Sequence, residues 1–465
     1  MTRLGLLQTT DLGSMGSRLP VSGKAEDLGL IRTVQDAATR SEGWVKSPSR
    51  LRADVPFQYP AMMSPAMQAD ILDALLEADQ SIRSVLDPFV GAGTVMMQAI
   101  SRGIDFYGQD INPMSILLCE ARSTSLDPLQ LREEIDLVLL RVPRHAEADE
   151  SAVVRIPNAH KWFQPLVLAA LLALAEAIRQ CDSQKIRRVL WVALAETVRL
   201  ASNSRTSTFK LHIRSDADIA TRTIDPIRAF ESVTDGITQA VAQRLSDARG
   251  SSSSERESRQ IRIEVHRADT IAGALGSFGP YDALITSPPY GDNLSTVPYG
   301  QHSYLPLHFI DPEDVPDGVP ADLLRTTQEI DRRSLGGHWV DIARATKALD
   351  YSPAFKSTMQ RLAAAPLDRA RRVAAFSLDL ADSIPAILSA LKPGAFMAWT
   401  IGNRTVAGQP VPTDQILVDT LERHGCTTIG TVERTIPSTH KHMATRNSLG
   451  STISTELVVL ARNGN

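Results

Sequence analysis

Cysteine is scarce in this chain. Cys119, Cys181 and Cys426 are the three among 465 residues, they stand far apart, and no Cys-x-x-Cys occurs. That spacing offers neither a zinc site nor a disulfide framework, and it suits a reducing compartment. No run of about eighteen apolar residues appears. The stretch Leu166 to Ile178 is too short and carries Glu176. The first residues lack the charged-then-apolar order of a secretion signal, so a soluble, cytoplasmic protein without membrane association is expected. Basic residues are not in surplus: 49 Lys and Arg stand against 53 Asp and Glu, a net charge of -4. Overall charge therefore gives no argument for a nucleic-acid partner. No internal repeat is evident. The hydrophobic content of 43% over this length allows one large core and a second lobe, hence two or three structural units.

Two short motifs stand out against that background. Asp87-Pro88-Phe89-Val90-Gly91-Ala92-Gly93-Thr94 follows the apolar stretch Ile82 to Leu86 and opens a helix-like run. In a strand-turn-helix of this kind, Gly91 and Gly93 let the main chain approach a ligand, and the new helix aims unpaired N–H groups at it. The second motif, Thr286-Ser287-Pro288-Pro289-Tyr290, follows the buried-strand pattern Tyr281 to Ile285 and ends in an aromatic ring held by two prolines. A glycine turn alone is common to many nucleotide-binding folds and ordinary tight turns. Ser-Pro-Pro-Tyr directly after a strand is much rarer.

Together these motifs resemble those of the amino-methylating DNA methyltransferases, and the Ser-Pro-Pro-Tyr form looks like the branch that acts on cytosine N4. The resemblance implies an α/β fold: a doubly wound, Rossmann-like methyltransferase sheet with a C-terminal antiparallel hairpin and a mainly helical inserted lobe. It implies S-adenosylmethionine as cofactor and duplex DNA as substrate. For members working in restriction-modification it also implies a cognate restriction endonuclease as partner. On the cofactor side it points to Tyr59, Asp87, Phe89, Gly91, Gly93, Thr94, Asp110 and Asp269, and on the catalytic side to Ser287, Pro288, Pro289 and Tyr290. Neither a metal nor a cysteine nucleophile is implied, because a sulfonium is already an activated leaving group.

The remainder of the chain arranges itself around these motifs. Residues 1–50 show no sustained period and are expected to form an arm; 51–122 open the catalytic unit; 123–260 form a helical insertion; and 261–465 complete the unit, with a further insertion at 291–366. Within this scheme Ser64 to Ala78 reads as an amphipathic helix, and Asp105 to Asp110 as a strand whose terminal acid can accept bonds from ribose hydroxyls. Helical periods run through Leu129 to Leu140, Leu166 to Ile178 and Val189 to Leu200. Ile261 to Val265 alternates as a strand ahead of Asp269. A helix from about Leu367 is followed by a Lys392-Pro393-Gly394 turn and a strand from Ala395 to Ile401. Cys426 to Glu433 and Thr455 to Ala461 supply the last two strands.

Two acid-free basic segments are candidates for DNA contact: Arg199 to Arg214, with Arg205, Lys210 and Arg214, and Arg434 to Asn447, with Lys441 and Arg446. The recognition function is assigned to 123–260, assisted by 291–366. Three other readings remain open. Adenine N6 enzymes more often carry Asp or Asn where Ser287 stands. RNA guanine-N2 methyltransferases usually have Asp before the prolines and an appended RNA-binding domain. A degenerate, inactive DNA-binding relative should have lost Gly91, Gly93, Pro288 or Tyr290, all of which are present.

Overall fold

A computed structural model describes residues 24–40, 44, 57–60, 62–142, 156–250, 260–272, 275, 279–435 and 455–464. Helix α1 (Ala25–Arg40) precedes α2 (Pro65–Ala78), whose Ser64 cap accepts the Met67 N–H and whose first residue is proline, already set at a helical φ. Strand β1 (Ser84–Asp87) leads to α3 (Thr94–Ile100), and β2 (Asp105–Asp110) to α4 (Pro113–Ser123). The inserted lobe contributes α5 (Pro128–Arg141), α6 (Pro165–Arg179), α7 (Gln184–Ala201) and α8 (Pro226–Gly250). The chain then returns through β3 (Ile263–Arg267) and β4 (Tyr281–Thr286) before α9 (Tyr299–Leu307) and α10 (Leu367–Ser389). Strand β5 (Leu391–Ile401), the short hairpin β6 (Arg404–Val406) and β7 (Gln409–Val411), α11 (Thr413–Arg423), β8 (Thr427–Thr435) and β9 (Thr455–Arg462) complete it.

Seven strands form one sheet in the order β3-β2-β1-β4-β5-β9-β8. The first five pair in parallel, and β9 runs antiparallel to both β5 and β8. This is the Rossmann-like sheet of methyltransferase type, closed by an antiparallel hairpin. Successive residues of a strand serve opposite faces. Val85, Ala283, Ile285, Phe396 and Ala398 pack with α1, α2 and α3, whereas Leu86, Leu284, Met397 and Trp399 pack with α10 and α11. The strand order reverses between β1 and β4, which is where a sheet of this type opens a crevice at its carboxyl edge.

Two sequence expectations are modified. Residues 25–40, read as part of an arm without period, form a helix docked on the sheet, where Arg462 Nε donates to Asp27 Oδ1 at 2.5 Å. Lys392-Pro393-Gly394 is a bulge inside β5 rather than a turn before it: Tyr281 pairs with Leu391, yet Ala283 pairs with Phe396. Asn463 pins the bulge, donating to the Lys392 carbonyl (3.1 Å) and accepting the Gly394 N–H (3.0 Å) through its own carbonyl. The insertion is mainly helical, as expected. Its core runs from α5, α6 and α7 without a break to Tyr59, Ala92 and Met114 of the catalytic unit and to α9. Among the described residues no helix is long and apolar enough to cross a membrane.

Candidate active site

The parallel pairing of β1 with β4 brings the two sequence motifs to the same edge. Asp87, fully buried at the end of β1, accepts the Thr286 hydroxyl from the end of β4 at 2.6 Å and the Phe89 N–H at 3.2 Å, both on Oδ1. Its Oδ2 is buried and has no hydrogen-bond partner among the described residues. Burial pushes the Asp87 carboxyl up to about 7, against the opposing pull of the Thr286 and Phe89 bonds. A buried acceptor left in this condition fits a cationic donor.

Asp110, at the end of β2, fastens the glycine loop. Its Oδ2 accepts the Gly91 N–H at 3.0 Å and its Oδ1 the Asn112 N–H at 2.9 Å. Burial raises this carboxyl above the usual range, and those main-chain bonds counter it. Gly91 has φ +50°, a conformation that favours glycine, and a Cβ there would meet only ordinary contacts. Gly93, with φ +72°, caps α3, and its requirement is stricter: a Cβ would lie 2.9 Å from Cys119 Sγ of α4. A side chain at Gly93 would therefore be strained by its φ and would have to displace Cys119, a reason independent of any ligand. Thr94 is buried at the first position of α3, and Phe89 is half-buried on the α10 side.

At the end of β4, Pro288 is buried, while Ser287, Pro289 and Tyr290 are half-buried. The Tyr290 hydroxyl donates to Glu456 Oε1 of β9 at 3.0 Å. Burial foremost, and the Glu456 charge next, raise the phenol well above its ordinary range, with the Ser287 side chain acting in the opposite sense. Facing the glycine loop, Tyr59 is buried and its hydroxyl accepts Asn112 Nδ2 at 3.2 Å; the same amide nitrogen donates to Ser303 Oγ of α9 at 2.8 Å. The Tyr59 and Tyr299 rings lie 5.7 Å apart. Burial, followed by the charges of Asp110, Asp331 and Glu456, raises the Tyr299 phenol.

Not every anticipated residue sits in this cluster. Asp269, just past β3, is exposed and accepts the Ile271 N–H at 2.9 Å; its neighbour Thr270 is the residue that reaches the glycine loop, donating to the Pro88 carbonyl at 2.9 Å. Arg205, Lys210 and Arg214 lie on or beside a hairpin whose Ser204 and Ile213 form a bridge. That hairpin rests on α9: Phe209 meets His302 edge-on at 5.5 Å, and the Leu211 N–H donates to Gln301 Oε1 at 3.3 Å. Lys441 and Arg446 fall outside the described residues. Thr286, part of the second motif but given no role there, joins the site with Tyr299 and Glu456, none of which was among the expected site residues. Thr286 alone carried a signal, its adjacency to Ser287. Asp292, the acid that follows the proline motif, is buried and paired with Arg372 (3.0 Å) and Arg404 (3.3 Å). Among the described residues no group of three or more His, Cys, Asp or Glu side chains is placed to hold a metal ion.

The chain is 25% identical over 438 residues to the type II methyltransferase M.MvaI of Kocuria varians, a match covering 87% of this chain and 90% of that protein. The chain is a distant homologue of a type II methyltransferase. No protein-family model matches it. Among solved structures, an rRNA methyltransferase from Streptomyces viridochromogenes aligns over 92% of this chain and 95% of its own, at 10% identity and a TM-score of 0.31. That likeness is too weak to support any statement about this chain.

Proposed function

We propose that this chain is an S-adenosylmethionine-dependent DNA methyltransferase that modifies the N4 amino group of a cytosine extruded from the duplex. Homology to a type II methyltransferase along most of both chains supports methyl transfer as the reaction. The observation that carries the reading is the 2.6 Å bond between Asp87 and Thr286, which ties the glycine loop and Ser-Pro-Pro-Tyr to one edge of one sheet.

The residues present fit the cofactor. The unpartnered Asp87 Oδ2 would accept an ammonium, the Gly91 turn leaves the main chain uncovered, and Asp110 would present its carboxylate to ribose hydroxyls. When bound, S-adenosylmethionine supplies an electrophilic sulfonium methyl.

The amine at cytosine N4 is a weak nucleophile because its lone pair is delocalised into the ring. Acceptors beside its hydrogens make the nitrogen more tetrahedral, and the Ser287 hydroxyl with the Pro288 carbonyl would serve as those acceptors. The paired prolines keep that carbonyl aimed. Extruding the base costs a few kcal/mol. Stacking on Tyr290, worth about 1–3 kcal/mol, would offset much of it. Burial and the Glu456 charge hold the Tyr290 phenol protonated, so the ring would meet the base uncharged.

The 123–260 lobe, carrying Arg205, Lys210 and Arg214, would read the duplex, assisted by 291–366. Nuclease digestion and mass spectrometry of DNA and RNA from cells expressing the chain test the assignment. N4-methylcytosine in DNA is the expected product. N6-methyladenine would move the target base, and a methylated guanine confined to RNA would move the substrate class.

A further inference from the structure

Tyr290 is bound from two sides by elements remote in sequence. Its hydroxyl donates to Glu456 Oε1 at 3.0 Å, and the second oxygen of the same carboxylate accepts Arg434 Nη1 at 2.8 Å. Arg434 and Glu456 are the directly opposed pair of the β8–β9 hairpin, with side chains only 7% and 14% exposed. Little water competes for these bonds, and charge-assisted bonds in such surroundings are strong. Arg434 is held in turn, since its Nε donates to the Trp44 carbonyl at 2.7 Å. On the other side, a Cβ at Gly402 would lie 2.4 Å from Tyr290 Cδ2, so the ring rests directly on main chain at the end of β5.

We infer that Glu456 is a positioning residue for Tyr290: the closing hairpin, through the Arg434–Glu456 pair, fixes the phenol while Gly402 supports the ring, presenting one preset aromatic surface to the incoming base. This rests on the methyl-transfer reading above. A preset ring loses little rotational freedom when a base stacks on it, and that saving belongs to the base-bound state alone. The cofactor contacts lie elsewhere, at Asp87, Gly91 and Asp110.

The test uses the full chain, tritiated S-adenosylmethionine and a mixed genomic duplex DNA free of base methylation, with cofactor affinity measured separately by calorimetry. Glu456→Gln and Tyr290→Phe should each lower kcat/KM for DNA about tenfold, as expected for one lost hydrogen bond to a charged group, with cofactor affinity unchanged. The double variant should lose much less than the product of the two single losses, because both act through the same Tyr290–Glu456 contact. Gly402→Ala should also lower transfer by displacing the ring. Should Glu456→Gln fail to fold, Tyr290→Phe, which leaves the Arg434–Glu456 pair intact, carries the test together with Gly402→Ala. Three results overturn the inference: transfer at the wild-type rate in Glu456→Gln or, if that variant does not fold, in Tyr290→Phe; single losses that multiply; or a parallel loss of cofactor affinity. Absence of transfer by the wild-type chain would instead defeat the methyl-transfer reading itself, and this inference with it.

Discussion

A buried carboxylate with one oxygen bonded twice and the other unpaired is costly, and Asp87 is held in that state by the meeting of two strand ends. Its pKa, pushed to about 7, has a direct consequence for ligand binding. If the ionised form receives the ammonium of S-adenosylmethionine, affinity is full above pH 7 and falls by about tenfold per unit as pH drops below it. Calorimetry at pH 6, 7 and 8 checks this, and Asp87→Asn should bind weakly at all three without the slope. An unchanged affinity across that range would remove Asp87 from the ammonium site. At this scale, what was legible from sequence was whatever consecutive residues encode. Asp87 to Thr94 and Ser287 to Tyr290 each carry their chemistry within one turn of chain. Glu456, Tyr299 and Thr270 reach the site only through strand register and helix docking, which no local spacing announces. Gly93 was legible as a required glycine but for an incomplete reason, because Cys119 comes from the next helix.

Among the elements, α9 shows how the site borrows support. Pro298 precedes it and offers no side-chain acceptor, so the N–H groups of Gly300 and Gln301 are capped from a distance by Asp331, at 2.8 and 3.1 Å. Asp331 is itself fully buried. Asp331→Ala should leave both donors unsatisfied, cost about 1–3 kcal/mol and lower the melting temperature. Because α9 carries Tyr299 and Ser303, transfer should fall as well; a melting curve and a transfer rate both equal to wild type would show that the cap contributes nothing. Helices with strong periods or proline starts, such as α2, α6 and α7, were legible because local order and burial agree in them. Helix α1 was not: its buried residues are Leu30, Ile31, Val34 and the charged Asp27, and its docking depends on Arg462 at the far end of the sheet. The bulge in β5 was likewise hidden, since Asn463 pins it from after the last strand.

For the whole molecule, a net charge of -4 means that any duplex contact must come from local patches. The hairpin bearing Arg205 and Lys210 abuts α9, which places a basic surface beside the candidate site. The double variant Arg205→Ala/Lys210→Ala should weaken DNA binding and reduce the slope of log affinity against log salt by about two. A salt slope equal to wild type would move the duplex to another face. The sheet itself was readable in outline because strand, glycine turn, helix and closing hairpin recur in sequence order. The shared core of the insertion and the catalytic unit was not, because it is made by packing between helices far apart in the chain.

The central claim is that a cofactor and an extruded base meet where β1 and β4 end side by side. It is tested most directly by transfer of tritium from S-adenosylmethionine to unmethylated duplex DNA, comparing the wild-type chain with Tyr290→Ala. The wild-type chain should label the DNA, and Tyr290→Ala should lose about 1–3 kcal/mol of base stacking, a fall of roughly ten- to a hundredfold, while still binding the cofactor. Equal labelling by both chains would contradict the account.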